Sequence, residues 1–379
     1  MKLRIDQAAL ARVVTRASRA LSSRPAVPVL AGIKLDADPE GRLTAAAFDY
    51  EVSATAATAA DVAEGGQVLV SGRLLADITA SLPKGSEVDI AVEGGHLVLA
   101  AQAARFTLHT MPLEEYPALP APAQDIGTVP GAAFAETVGR VAPSACRDLT
   151  VPHLTGIKIS LGGGEPARLQ ATDRYRLPVA VLPGWQPALD SSDPVSLLVP
   201  AATLADASKD LAGAEAVHIG VRDGLVSLTA DGYTLTTRLL EGDLPDFKKL
   251  FPAAFTTVAT LPATPLAAAL KRLSLVAVSG QTRPVKITLK DTTATLHAGA
   301  ADAATGTEQL EADVHHPAEG GAEPVGSVVF NAAFLSEAVR AIGADQVQIN
   351  LVTSTKPALL HAPGHADTYQ HLLMPVRLT

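Results

Sequence analysis

"LPKGSEVDIAVEGGHLVLAAQAARFTLHTMP", residues 82–112, has two counterparts later in the same chain. They are "LAGAEAVHIGVRDGLVSLTADGYTLTTRLLEGDLP" (211–245) and "IGADQVQINLVTSTKPALLHAPGHADTYQHLLMP" (342–375). Each opens where a helical pattern ends, passes an acidic residue and enters an alternating strand. Those strands are Val88-Ile90-Val92, Val217-Ile219-Val221 and Val347-Ile349-Leu351. A turn and two more strand-like runs follow, and each copy stops at a proline that a central strand would not accept. Val88, Val217 and Val347 fall at nearly equal intervals, so the chain reads as a threefold repeat. The apolar C-terminus is then the last strand of a third domain.

A second alignment supports the first. "LTAAAFDYEVSATA" (43–56) matches "LQATDRYRLPVAVL" (169–182), with Asp49 and Asp173 in step, and "LHAGAADAATGTEQL" (296–310) is a degraded third copy. Proline-rich joints at 111–131 and 244–265 place the domains at 1–126, 127–252 and 253–379. Each domain carries two helical patterns, at 6–21, 71–82, 130–142, 200–212, 265–278 and 331–343. Their apolar residues recur at three and four spacing, as in Phe134, Val138, Val141 and Leu335, Val339, Ile342. Only strands and turns lie between, so the fold class is α+β, with two helices per domain packed on antiparallel sheets.

Composition narrows the function. At 379 residues, two or three domains are expected. Hydrophobic content of 47% excludes a disordered chain, and no apolar run approaches the ~20 residues of a membrane helix. "MKLRIDQAAL" puts charges where a signal peptide has its apolar stretch. The single cysteine, Cys146, allows no internal disulfide, fits a cytoplasmic location and is expected to be a small buried thiol. A net charge of −9, taken alone, argues against nucleic acid.

The helices depart from that acidic average. Basic Arg12, Arg16, Arg19, Arg73, Arg140, Lys209, Lys271, Arg272 and Arg340 outnumber acidic Asp6, Asp77, Glu136, Asp206, Asp210 and Glu337. Ordinary solvated helix faces with local ion pairs account for this, and so does one weakly positive surface on an acidic exterior. Repeats close into rings when geometry permits. Six helices at about 8–10 Å spacing enclose too little space for a duplex roughly 20 Å wide, whereas twelve from two chains enclose enough.

The whole chain resembles the bacterial DNA sliding clamps, the beta subunits of DNA polymerase III. The resemblance rests on "SSRPAVPVLAGIKL", "VLVSGRLLADI", "RFTLHTMPLEEYP", "ATDRYRL", "LLEGDLPDFKKLFP", "TSTKPALL" and "LLMPVRL", in that order. It implies a head-to-tail homodimer, a six-domain ring with helices lining the hole and sheets on the rim. The ring would hold double-stranded DNA without sequence preference, through phosphate contacts. Pore contacts expected on this resemblance are Arg24, Arg73, Arg140, Lys209, Lys271 and Arg272.

The resemblance also implies a pocket for short peptides of the polymerase alpha subunit, the clamp loader and repair proteins. Its deep part would comprise Thr172, Arg174, Tyr175, Arg176, Leu177, Pro245, Leu250, Leu372 and Met374, with a second lobe at His153, Leu154 and Val376. Apolar walls, an adaptable methionine and a few polar groups suit a peptide. Plain core packing is the alternative for the tail. Phe106 and Leu108 of one copy would meet Leu275 and Val276 of the other.

Two departures stand out. Ser279-Gly280-Gln281 is uncharged where charged residues are expected, and His153 and His371 flank the expected pocket. Such changes would also suit a specialised second clamp copy whose altered pocket resists an inhibitor. A peptide-binding adaptor that never encircles DNA is a further alternative. No enzyme chemistry, cofactor, metal or membrane partner is expected. His361, His365, His371 and Asp367 read as solvated hairpin residues rather than ligands. The "GGG" at 162–164 lacks the lysine and following helix of a phosphate loop.

Overall fold

A computed structural model describes residues 1–22, 24–121, 123–188, 194–277, 283–299, 304–317 and 323–377. The uncharged Ser279-Gly280-Gln281 stretch and Leu378 lie outside them. One half-unit occurs six times: a strand runs directly into an α-helix, and three antiparallel strands follow. The helices are α1 (Gln7–Ala17), α2 (Gly72–Ser81), α3 (Gly131–Val141), α4 (Ala201–Leu211), α5 (Ala263–Leu273) and α6 (Ala332–Ile342). Two half-units make one repeat, so the fold is three similar α+β domains.

Local chemistry sets the helix bounds. The Asp6 carboxylate accepts from the Ala9 amide at 3.0 Å and starts α1, while Leu10, Val13, Val14 and Ala17 face the core. Asn331 caps α6 by accepting from Ala333 and Phe334, and Gly343, at φ +65°, ends it. One expectation is corrected. The sequence pattern puts the fifth helix at 265–278, but it begins at Ala263 and stops at Leu273. Pro265 fits the first turn, where an amide would have no helical partner. Beyond the helix end Leu275 is 77% exposed, Val276 is half-buried and Ala277 is buried, so the apolar count runs on without the helix.

Contacts divide the chain into two compact units that share the middle repeat. The first comprises 1–135, 184–191 and 202–239, and holds a 14-stranded sheet. There the strand Val52–Ala59 pairs antiparallel with Tyr233–Arg238, Ala56 opposite Tyr233 and Val52 opposite Thr237. The second unit comprises 136–183, 192–201 and 240–379, with a 9-stranded and a 4-stranded sheet. In it Arg176–Val181 pairs with Tyr369–Leu373, Ala180 opposite Tyr369 and Arg176 opposite Leu373. The same strand of the repeat makes both pairings. The strand Thr305–Glu311 forms one edge of the 4-stranded sheet.

The C-terminal strand is therefore held on both sides, by Arg176–Val181 and by Ala358–His361. Beyond it the Met374 amide donates to Tyr175 O, and the Val376 amide to Val329 O, each at 2.8 Å. No described helix is long and apolar enough to cross a membrane.

Candidate functional site

The turn from Thr172 to Arg176 shapes the surface of the second unit. Asp173 Oδ1 accepts from the amides of Tyr175 and Arg176, and Thr172 Oγ1 donates to Arg176 O while accepting from the Arg174 amide. Arg174 consequently sits at φ +76°, and Tyr175 projects outward, 60% exposed. Asp49 and Tyr50 build the same turn in the first repeat, with Asp49 accepting from Glu51 and Val52 and Tyr50 at φ +74°. The two aspartates are equivalent, as the alignment expects.

Arg176 is the buried hinge pin of this turn. Its Nε lies 3.1 Å from Asp173 Oδ2, and its other nitrogens donate to Glu337 on α6 and to Pro143 O just beyond α3. The guanidinium also stacks 4.3 Å from the Phe334 ring centre. With only 6% of the side chain exposed, this charge is tolerable because all sides are satisfied.

Beside it lies an apolar floor of Leu177, Val179, Leu359 and Leu372, against which Phe251 and Phe255 pack. Tyr175 and Met374, joined by the hydrogen bond from the Met374 amide to Tyr175 O, adjoin its strands in sequence, and Leu250, 45% exposed, directly precedes Phe251. Pro245 is exposed, and its carbonyl accepts from Gln170 Nε2. Leu154 belongs to a neighbouring cluster with Leu198 and Leu244; His153 and Val376 are half-buried. Cys146 packs on that cluster as a half-buried thiol. All twelve expected pocket residues thus fall in one unit, and exposed apolar side chains above an apolar floor suit a peptide.

Two expectations about histidines are corrected. His361 and His371 are not solvated: they are buried in strands, where His361 Nε2 contacts Asn350 and His371 Nδ1 contacts the Tyr369 hydroxyl. Strands covered on both faces, rather than a hairpin loop, decide this. Burial, with Arg176 nearby, lowers the His371 pKa to about 3. No group of three or more potential metal-binding side chains gathers among the described residues.

The expected cationic residues separate into two kinds. Among the described residues, Arg24, Arg73 and Lys271 have no carboxylate partner, and exposed Lys209 pairs only with Asp206 one helical turn away. Arg140 and Arg272 are engaged with protein. Arg140 donates to the carbonyls of Ala341 and Ile342 at the end of α6 and stacks 4.3 Å from the Tyr369 ring centre. Arg272 makes a two-point pair with Glu308. Sequence reasoning missed Arg283, which with Lys271 and Arg340 lines a cleft of about 640 Å³ between α5 and α6. Every other residue of that lining is uncharged. Of the residues expected to meet a second copy, Phe106 and Val276 are half-buried, Leu275 is exposed, and Leu108 lies in the chain's own core at 2%.

Comparison with known proteins agrees with this organisation. Three models of the DNA polymerase III beta subunit match in succession: the N-terminal domain over residues 1–120, the central domain over 128–246 and the C-terminal domain over 248–377. The chain is 42% identical to the beta sliding clamp of Streptomyces coelicolor, covering 100% of both. It is 36% identical to the beta sliding clamp homolog GriR of Streptomyces muensis, over 100% of this chain and 99% of that protein. Among solved structures, a sliding clamp from Pseudomonas aeruginosa bound to griselimycin has the same fold, with TM-score 0.88, 24% identity and 100% of both chains covered.

Proposed function

The chain belongs to the DNA polymerase III beta subunit family, and from that membership we propose how it works as a sliding clamp. The family is non-enzymatic, and so is this chain: it tethers other enzymes and raises their local concentration on DNA. We place its domains at 1–126, 127–252 and 253–379. The working form is a head-to-tail homodimer around double-stranded DNA, in the cytoplasm.

The observation that carries the ring is a pair of open strand edges. The first half of repeat one pairs with the second half of repeat two, and the first half of repeat two with the second half of repeat three. Thr305–Glu311, the first half of repeat three, has its outer edge open among the described residues. Ala104–Met111, the second half of repeat one, has sheet partners on its outer side, among the described residues, only at Thr110 and Met111. Each edge is the other's missing partner, and one chain leaves both exposed. Open edges that pair head to tail close when the rotation fits. Phe106, Leu275 and Val276 then pack across the contact, and Leu108 supports it from beneath.

Arg24, Arg73, Lys209 and Lys271 reach phosphates in this reading, whereas Arg140 and Arg272 have only their remaining donors to offer. Peptides of the polymerase alpha subunit, the clamp loader and repair proteins seat their apolar residues on Leu177 and Leu372 between Tyr175, Leu250 and Met374. Pro245, Thr172, Arg174 and Arg176 shape that wall, and His153, Leu154 and Val376 form the second lobe. The test is primer extension by the family's polymerase and clamp loader. Adding this chain should lengthen products strongly, and Met374→Lys should reduce that gain about tenfold without altering the dimer. Unchanged product length with Met374→Lys would remove the pocket from the account.

A second reading, a specialised copy whose pocket escapes an inhibitor, is favoured by the likeness to a protein named as a clamp homolog. The higher identity to a beta sliding clamp over the full length favours the first. Griselimycin affinity separates them: tight binding indicates the ordinary pocket, weak binding the escaped one. A non-encircling adaptor does not fit membership of this family over all three domains.

A further inference from the structure

Both sheet joins inside the chain carry the same fastening. In the first unit, Arg16 of α1 donates to Asp210 O in the last turn of α4 and lies 5.1 Å from the Tyr233 ring centre. In the second, Arg140 of α3 donates to the α6 carbonyls and lies over Tyr369. Arg16 and Arg140 hold the same place in their helices, one residue before the end. Each brings a cation to a helix C-terminus, where carbonyls lack partners, and covers a buried tyrosine. Tyr233 and Tyr369 are 0% and 2% exposed, and burial raises both phenols above their ordinary pKa.

Arg272 holds the same place in α5. Strand ladders identify what it would face. Ala56 and Ala180 occupy equivalent positions opposite Tyr233 and Tyr369. Pro284 pairs with Asn331 as Gly156 does with Pro200, Lys286 with His297 as Lys158 does with Gln170, and His297 with Thr307 as Gln170 does with Val179. Glu308 is therefore the counterpart of Ala180. In the first repeat, Ala104 pairs with Ala101 across a two-residue turn as Tyr233 does with Ala230, and Gln102 and Asp231 share φ near +50°. Ala104 is the counterpart of Tyr233.

We propose that the join between two copies follows the internal register, with Ala104 opposite Glu308 and Phe106 opposite Gly306, but lacks the tyrosine, so that Arg272 turns to Glu308 instead. The proposal rests on the dimeric clamp reading and adds to it a reason for the intermolecular join to be weaker than the two internal ones. Gly306 suits its place: a Cβ there would come within 2.9 Å of Leu273 Cδ2 and 3.2 Å of Val276 Cγ2. A glycine opposite leaves room for the Phe106 ring. The Arg272–Glu308 pair is exposed on the arginine side and contributes little to holding two chains together.

Ala104→Tyr restores the missing ring. Subunit exchange between differently labelled copies reads the dimer equilibrium for wild type, Ala104→Tyr, Ala104→Leu, and Ala104→Tyr combined with Arg272→Gln. Ala104→Tyr should tighten each of the dimer's two joins about five- to thirtyfold, the span from an exposed to a desolvated cation–π contact, and the dimer equilibrium by up to the square of that. Ala104→Leu should gain less, and Arg272→Gln should abolish the gain from tyrosine. No tightening, or tightening indifferent to Arg272→Gln, overturns the proposal while the ring stands. A wild-type chain that stays monomeric overturns both. The register is tested without Ala104→Tyr: in a Cys146→Ser background, Thr107→Cys copies should bridge to Thr305→Cys copies under mild oxidation. Bridging to Gln309→Cys copies instead overturns it.

Discussion

His371 shows how one residue ties stability to acidity. It is 1% exposed in the C-terminal strand, and its Nε2 has no partner among the described residues. Burial disfavours the cation, with Arg176 adding repulsion, so the folded chain resists protonation down to about pH 3. The unfolded chain takes up that proton near pH 6.5. Stability therefore falls as pH drops from 6.5 toward 3, by about 1.4 kcal/mol per pH unit from this group, and the group contributes no slope above that range. Urea unfolding of His371→Leu between pH 4 and 8 should lose one proton's worth of slope; an unchanged slope would reassign the burden. The histidine itself was visible in the sequence, but its burial was not. Strand alternation around "TYQHLLMP" is blurred because both faces of this strand are covered, and a continuous apolar run carries no period.

At the scale of elements, Arg176 fastens the strand Arg176–Val181 to α6 and to the turn after α3. Arg176→Met keeps much of the volume but leaves Asp173 and Glu337 without their cation. It should destabilise the chain by about 3 kcal/mol in equilibrium unfolding. It should also weaken peptide binding, because Tyr175 and Leu177 flank it in the same strand and turn. A change below about 0.5 kcal/mol would mean that the pair is no more than an exposed ion pair. Six helices and their order were legible because apolar spacing of three and four is strong over ten or eleven residues. The end of α5 was not, since "LSLVAV" continues the apolar count past the last helical residue. The arginine–tyrosine fastenings escaped for another reason: their partners lie far apart in sequence, and only equal places in aligned helices hint at them.

For the whole molecule, threefold repetition explains more than any motif. The half-unit buries one helix stripe and one sheet face, and its last strand seeks a partner from the next domain. Two such needs are met within the chain. In the proposed ring the remaining two edges meet a second copy, and a net charge of −9 is compatible with DNA because the helices carry more basic than acidic residues while the acidic excess lies elsewhere. A closed ring binds by topology rather than by affinity, so the most direct measurement is retention on circular DNA. The protein is loaded onto nicked circles with the clamp loader and ATP, free protein is removed, and the circles are cut once. The account predicts retention on circles and release on linearisation. Equal retention on circles and linear DNA, or none on circles with an active loader, would contradict it.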